Sequence, residues 1–106
     1  MTTQSDFIVY LMELVESIGG VKARAMFGLV SNDTLYLKVD EENRRDFESR
    51  GLKPFTYRRG NRENVMSYYQ APDEALDNAE VLNQWVQRAV EAAVRSSVHK
   101  RKRLRG

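Results

Sequence analysis

The sequence contains no cysteine, which removes several kinds of chemistry at once. Without thiols there are no disulfide bonds, no thiolate nucleophile and no cysteine metal ligand, and this composition fits a reducing, cytoplasmic environment. The single histidine, His99, lies in a basic C-terminal segment, and we interpret it as a solvated residue. Because histidine is the usual acid–base group near neutral pH, the sequence predicts no catalytic site and no enzyme. It also predicts no cofactor and no metal site.

Long apolar runs are absent as well. No stretch approaches the roughly 18 residues of a transmembrane helix, and the polar residues 1–5 argue against a secretory signal peptide. With 106 residues, of which 42% are hydrophobic and 30% charged, the chain has the size and composition of one globular domain with a modest core. We therefore expect a cytoplasmic single-domain protein without a membrane segment.

Charge is distributed unevenly along the chain. The 17 Lys and Arg and the 15 Asp and Glu give a net charge of +2, yet five basic and no acidic residues fall within residues 96–106. The remainder is slightly acidic, which does not indicate a uniformly basic surface for nucleic acid. We expect residues 1–97 to form the domain and residues 98–106 to form a disordered basic tail.

Two segments have the apolar periodicity of helices with one buried face. The first covers residues 7–18, and the following Gly19 and Gly20 can end a helix. The second follows Asp77 and Glu80, which are spaced as in a capping box. Its apolar stripe is the strongest in the chain and consists of Val81, Leu82, Trp85, Val86, Ala89, Val90, Ala93 and Val94.

The middle of the chain alternates as strands do. Asp40 is placed to cap a short helix that Phe47 anchors and Gly51 ends. A cap explains the acidic run at residues 40–42 better than a cation site. A polar turn is predicted at residues 58–64. The predicted strands are residues 21–30, 35–39, 52–57 and 65–69. Together these elements predict an α+β domain of two layers, with helices on one face of an antiparallel sheet.

Aromatic and methionine residues on neighbouring predicted strands form a candidate partner-binding surface. Alternation places Met66 and Tyr68 on one face of their strand and Tyr69 on the other. Ordinary sheet packing, with a tyrosine hydroxyl at the surface, is the simpler explanation, and a groove for a partner or ligand is the functional alternative. The candidate residues are Tyr36, Tyr57, Met66, Tyr68 and Tyr69.

Basic residues at the predicted hairpin turn and in the tail form candidate nucleic-acid sites. If the five tail charges all met phosphates, the logarithm of the binding constant would fall with the logarithm of salt at a slope of about −4.5. A solvated hairpin tip and a solubilising extension of the last helix are the alternatives. The candidates are Arg58, Arg59, Arg62, Lys100, Arg101, Lys102, Arg103 and Arg105.

Four motifs occur in a specific order and spacing: RAMFG at residues 24–28, LYLKVD at 35–40, GLKPFTY at 51–57 and MSYY at 66–69. Together they resemble the N-terminal domain of the TfoX/Sxy family. The resemblance implies a secretion-chaperone-like α+β fold. It also implies kinship with bacterial competence regulators, in which this domain precedes a helical C-terminal domain and the protein acts beside a DNA-bound transcription factor.

The sequence departs from the family pattern in two places. It lacks the helical second domain, so it resembles a stand-alone N-terminal domain. It also lacks about one hairpin after Gly28, so we expect a sheet one hairpin shorter than in the family.

Three functions remain as hypotheses from the sequence. The leading one is a non-enzymatic regulatory or protein-interaction domain whose partner is a transcription component. The alternative is weak, sequence-independent nucleic-acid binding through the tail. A small-ligand domain with a pocket between the sheet and the last helix is the third. The oligomeric state is left open.

Overall fold

The computed structural model describes residues 8–18 and 21–105, with side chains at residues 11–13, 15 and 24–98. The chain has three strands, a helix, two further strands and two helices, numbered in chain order. They are β1 Ile8–Ile18, β2 Val21–Ser31, β3 Thr34–Lys38, α1 Arg44–Glu48, β4 Pro54–Arg59, β5 Arg62–Gln70, α2 Asp73–Asp77 and α3 Ala79–Arg105.

The five strands form one antiparallel sheet in the order β1-β2-β3-β5-β4. All three helices pack on the same face of this sheet. Phe47 of α1, Ala75 of α2 and Trp85 of α3 share a buried cluster with Leu37 of β3. The predicted α+β class, with helices on one face of an antiparallel sheet, is confirmed. The expectation that the sheet is one hairpin shorter than in the family stays a prediction.

The first predicted helix is wrong, because residues 8–18 form strand β1. This strand pairs with β2 in a register that joins Ile8 to Ser31 and Ile18 to Val21. Ten residue pairs join β1 to β2, and the backbone hydrogen bonds of this ladder outweigh the local helical periodicity. The connection has two residues, both glycine, a composition that favours a tight hairpin as much as a helix end.

A bulge in β2 determines which side chains point toward the helices. The β1–β2 register shifts between Met12 and Glu13, which pair with Gly28 and Met26. Met26 and Gly28 therefore point to opposite faces despite their even spacing. A Cβ at Gly28 would overlap the Cε of Met12. The absence of a side chain at Gly28 therefore leaves room for the Met12 side chain of β1.

Asp40 caps the turn after β3, whereas α1 begins later than predicted, at Arg44 after the N-cap residue Asn43. The Asp40 carboxylate accepts hydrogen bonds from the backbone N–H groups of Glu42 and Asn43, at 3.0 and 3.2 Å. Phe47 is fully buried. Gly51 follows α1 with φ of +73°, a conformation that glycine adopts without a Cβ penalty.

Strands β4 and β5 form a hairpin at the sheet edge. Pro54 is the first residue of β4, at the edge of the sheet, where the missing N–H is tolerated. The predicted turn at residues 58–64 is too long, because Arg59 pairs with Arg62 and only Gly60 and Asn61 remain between the strands. The strands extend further because each added pair completes another rung of the ladder.

The capping residue of helix α3 lies one position later than predicted. The Asn78 side-chain oxygen accepts from the N–H groups of Glu80 and Val81 at 2.9 and 3.2 Å, so Asn78, and not Asp77, is the capping residue. Asp77 instead ends α2. The backbone of α3 continues to Arg105, in contrast to the disordered tail expected from residue 98 onward. The domain boundary at residue 97 stays a prediction.

Candidate protein-interaction face

The sheet face opposite the helices carries its own cluster, which we call the aromatic face. Its floor consists of buried Leu29, Phe55 and Tyr68, and partly buried side chains pack around them. These surrounding side chains are Met26, Tyr36 and Met66. The cluster brings three of the five predicted partner-binding residues together.

Ring contacts extend the aromatic face along β4. The Tyr36 and Phe55 ring centroids lie 5.0 Å apart in an edge-to-face arrangement, which the ring quadrupoles favour. The Phe55 and Tyr57 centroids lie 6.2 Å apart and nearly parallel. Tyr57 is 41% exposed, so the cluster grades from a buried floor into an accessible aromatic side chain.

Tyr68 links two strands of this face that are not neighbours in the sheet. Its hydroxyl donates a hydrogen bond to the Met26 carbonyl oxygen at 3.2 Å, which links β5 to β2 across the intervening β3. Burial raises the pKa of the Tyr68 phenol, so it stays a neutral donor. The Lys38 ammonium lies 5.0 Å from the Tyr68 ring centroid and donates to the Ser67 hydroxyl.

Tyr69 lies on the other face. It packs on the helix-side core, where its ring centroid is 6.0 Å from that of Phe47. Its hydroxyl donates to the Glu48 carboxylate at 3.0 Å. Burial, and then this hydrogen bond, raise the pKa of Tyr69. The structure therefore separates Tyr69 from the other four candidates, as strand alternation predicts.

Strand β1 adds exposed apolar residues that the sequence interpretation missed. Leu11 lies opposite Leu29 in the β1–β2 register, and residues directly opposite share a face. Leu11 is 53% exposed and therefore borders the aromatic face. Val15 lies opposite Arg24, which forms an exposed ion pair with Glu13 at 3.8 Å. The helical interpretation of residues 7–18 had buried both aliphatic side chains.

The predicted basic turn is exposed on all sides. Arg58, Arg59 and Arg62 lie at the tip of the β4–β5 hairpin, and every residue from 56 to 63 is exposed. No carboxylate among the described side chains lies within ion-pair distance of these three guanidinium groups. The predicted tail residues, Lys100, Arg101, Lys102, Arg103 and Arg105, lie outside the described side chains.

A polar junction, also missed from the sequence, holds α3 against the end of β3. The buried Asn43 amide donates to the backbone oxygens of Lys38 and Arg88, at 3.1 and 3.3 Å. Its side-chain oxygen accepts from the Asp40 N–H at 2.8 Å. Arg95 completes the junction through the Asp40 carboxylate. The contacts of Asn43 with Arg88 and of Arg95 with Asp40 span 45 and 55 residues, so the junction attaches α3 to the end of β3.

A cleft of about 440 Å³ lies beside α2. Its walls include Asp33, Arg50 and Glu74, and the arginine forms an ion pair with Glu74. The cleft is not the pocket between the sheet and the last helix that the third hypothesis requires.

Comparison with protein families identifies the family of this chain. Residues 13–93 match the TfoX N-terminal domain. The chain belongs to the TfoX N-terminal domain family. The matched residues include the aromatic face, the β4–β5 hairpin and most of α3. No curated protein matches the chain.

Membership in this family supports a regulatory, competence-type role for the TfoX N-terminal domain described here. Within the described residues, no helix combines the length and apolar content needed to cross a membrane. In the same part of the chain, no three His, Cys, Asp or Glu side chains are grouped so that they could hold a metal ion.

Proposed function

We propose that this TfoX N-terminal domain is a non-enzymatic, cytoplasmic regulatory domain that acts by binding a protein of the bacterial transcription apparatus. The observation that carries the proposal is the family match over residues 13–93, which relates the chain to competence regulators.

The aromatic face supports a protein as the partner. Tyr57 and Leu11 are 41% and 53% exposed beside a floor of fully or nearly buried apolar side chains. Rigid aromatic side chains next to a packed apolar floor are typical of the centres of protein interfaces. We therefore assign contact with the transcription protein to the aromatic face, with Tyr57 as its accessible aromatic residue.

The test is quantitative capture of transcription proteins by the full chain and by Tyr57→Glu. The bacterial extract is first treated with nuclease, so that nucleic acid cannot bridge the two proteins. We expect the full chain to retain an RNA polymerase subunit or a transcription factor, and we expect Tyr57→Glu to retain at least about tenfold less because a carboxylate is desolvated at the interface.

Val65→Glu is the matched control. Val65 is an exposed apolar residue, 65% exposed, on the partner strand of the same hairpin. It pairs with Thr56, so it lies on the opposite face from Tyr57. Equal loss in both variants, or no transcription protein retained by the full chain, would refute the proposal.

Nucleic-acid binding through the C-terminal basic segment is a second candidate. The observation that favours it is that α3 continues to Arg105, which places this segment on a helical backbone. Truncation after Ser97 is then expected to weaken duplex DNA binding and to lower its salt dependence. Unchanged binding by the truncated chain would exclude the segment.

A further inference from the structure

The hairpin of β4 and β5 forms a two-stranded arm that extends past the end of β3. Strand β3 pairs with β5 only at residues 68–70. From Val65 to Arg62, β5 pairs with β4 alone, opposite Thr56 to Arg59. Every residue from 56 to 63 is exposed, so both faces of the arm are open.

The two faces of the arm differ in charge. Directly opposite residues share a face and the faces alternate along each strand. Tyr57 with Asn64 and Arg59 with Arg62 therefore form one face, which has two guanidinium groups and no acid. The other face pairs Arg58 with Glu63 and is balanced in charge.

The Arg59–Arg62 pair is unfavourable by itself. Like charges directly opposite each other destabilise an antiparallel pair. Among the described side chains no carboxylate compensates either guanidinium, since neither takes part in an ion pair. An anion with several acceptor oxygens would relieve the repulsion. It would accept hydrogen bonds from the guanidinium N–H groups of Arg59 on β4 and Arg62 on β5.

The dimensions of the arm favour duplex DNA over duplex RNA as the polyanion. At about 3.3 Å per residue, the exposed length from Thr56 to Arg59 is roughly 13 Å, and the strands are about 4.8 Å apart. The major groove of B-DNA is about 12 Å wide and 8.5 Å deep and admits a two-stranded β-ribbon. The deep, narrow major groove of duplex RNA does not admit side chains in this way.

We propose that the β4–β5 arm binds duplex DNA by entering the major groove, with Arg59 and Arg62 contacting the phosphates at its rim. This binding is assigned to different residues from the protein contact of the proposed function. Arg59 and Arg62 lie nearer the tip of the arm than Tyr57, on the same face.

The test is binding of a labelled duplex DNA by the full chain and by the Arg59→Gln, Arg62→Gln double variant, followed by fluorescence anisotropy over a range of salt concentrations. Loss of two phosphate contacts should reduce the salt slope by about 2 and weaken binding about tenfold or more near 50 mM salt. The control is the double variant Arg44→Gln, Arg45→Gln, which has the same net charge as Arg59→Gln, Arg62→Gln. Its two substitutions lie at exposed positions of α1.

A second comparison tests the face of the arm. Arg59→Gln and Arg58→Gln remove the same charge from adjacent residues on opposite faces, and we expect Arg59→Gln to weaken binding several times more. A third uses a duplex whose pyrimidines carry bulky C5 substituents, which fill the major groove and should weaken binding by the full chain about tenfold.

Three results would overturn the proposal. The first is equal weakening by the two double variants, because net charge and not the arm would then determine affinity. The second is unchanged affinity for the groove-filled duplex. The third is tighter binding of single-stranded RNA than of duplex DNA when that binding depends on Arg59 and Arg62.

Discussion

Arg95 of α3 binds the carboxylate of Asp40, 55 residues earlier, through two hydrogen bonds: Nε to Oδ2 at 2.6 Å and Nη2 to Oδ1 at 3.0 Å. The same carboxylate accepts the backbone N–H groups of Glu42 and Asn43. One side chain thus caps the turn before α1 and attaches the last helix to the end of β3. This bidentate geometry is the strongest form of arginine–carboxylate contact.

Replacing Arg95 by glutamine should destabilise the fold by about 1–2 kcal/mol, since hydrogen bonds to charged groups contribute about 1.5–3 kcal/mol and partial exposure reduces this. Urea unfolding monitored by Trp85 fluorescence measures the change. The control is Arg24→Gln, which removes an exposed pair with Glu13 and should cost less than about 0.5 kcal/mol. Equal costs would show that the Asp40 contact adds no stability.

Stability should fall at acid pH because of Asp40. The hydrogen bond from Arg95 holds the pKa of Asp40 below its ordinary value of 3.8. The folded state therefore binds fewer protons than the unfolded state. This contribution is complete above about pH 4 and is lost as pH falls through the folded pKa. The urea concentration at the unfolding midpoint should fall as the pH is lowered from 6 to 2. This fall should be less steep in Asp40→Asn than in the wild type. Parallel declines would exclude Asp40 as a source of acid sensitivity.

Trp85 should be the largest single contribution of α3 to the core. It is 4% exposed, and its ring centroid lies 4.9 Å from that of Phe47. Trp85→Ala should reduce the free energy of unfolding by about 3–5 kcal/mol. Val65→Ala, at an exposed position, should change it by less than about 0.5 kcal/mol. A loss below about 1 kcal/mol for Trp85→Ala would contradict the packing of α3. Because the indole itself is removed, circular dichroism follows unfolding in this series.

Gly28 reports on the position of β1. A Cβ there would overlap the Cε at the flexible end of Met12 and lie 3.1 Å from the Tyr36 carbonyl oxygen, so Gly28→Ala should cost about 1 kcal/mol. The cost should be smaller in a Met12→Ala background, because the overlapping group is gone. Met66→Ala is the control background and should leave the cost unchanged. Equal costs in all three backgrounds would show that the Met12 side chain does not limit the space at Gly28.

The middle of the chain was predictable because its structure is locally determined. Alternation identified β3, and the carboxylate of Asp40 marked the turn that follows it. Pro54 and the Gly60–Asn61 turn located the edge hairpin, although the strands run further into the predicted turn.

The errors arose where distant residues decide the outcome. The apolar residues at 8–18 fit a helical stripe, and only the ladder with β2 makes them a strand and leaves Leu11 exposed. Asp77 and Asn78 are adjacent and both can cap a helix, and the end of α2 decides between them. The contact of Arg95 with Asp40 spans 55 residues and has no local signature.

The most direct test of the central claim is site-specific photocrosslinking in bacterial cells. A photoreactive amino acid replaces Tyr57 in one version of the full chain and Val65 in the other, and mass spectrometry identifies the crosslinked proteins. We predict a covalent adduct between position 57 and an RNA polymerase subunit or a transcription factor, at least about tenfold above the level at position 65. Adducts of equal yield at both positions, or adducts at position 57 with no transcription protein, would contradict a regulatory domain that acts through its aromatic face.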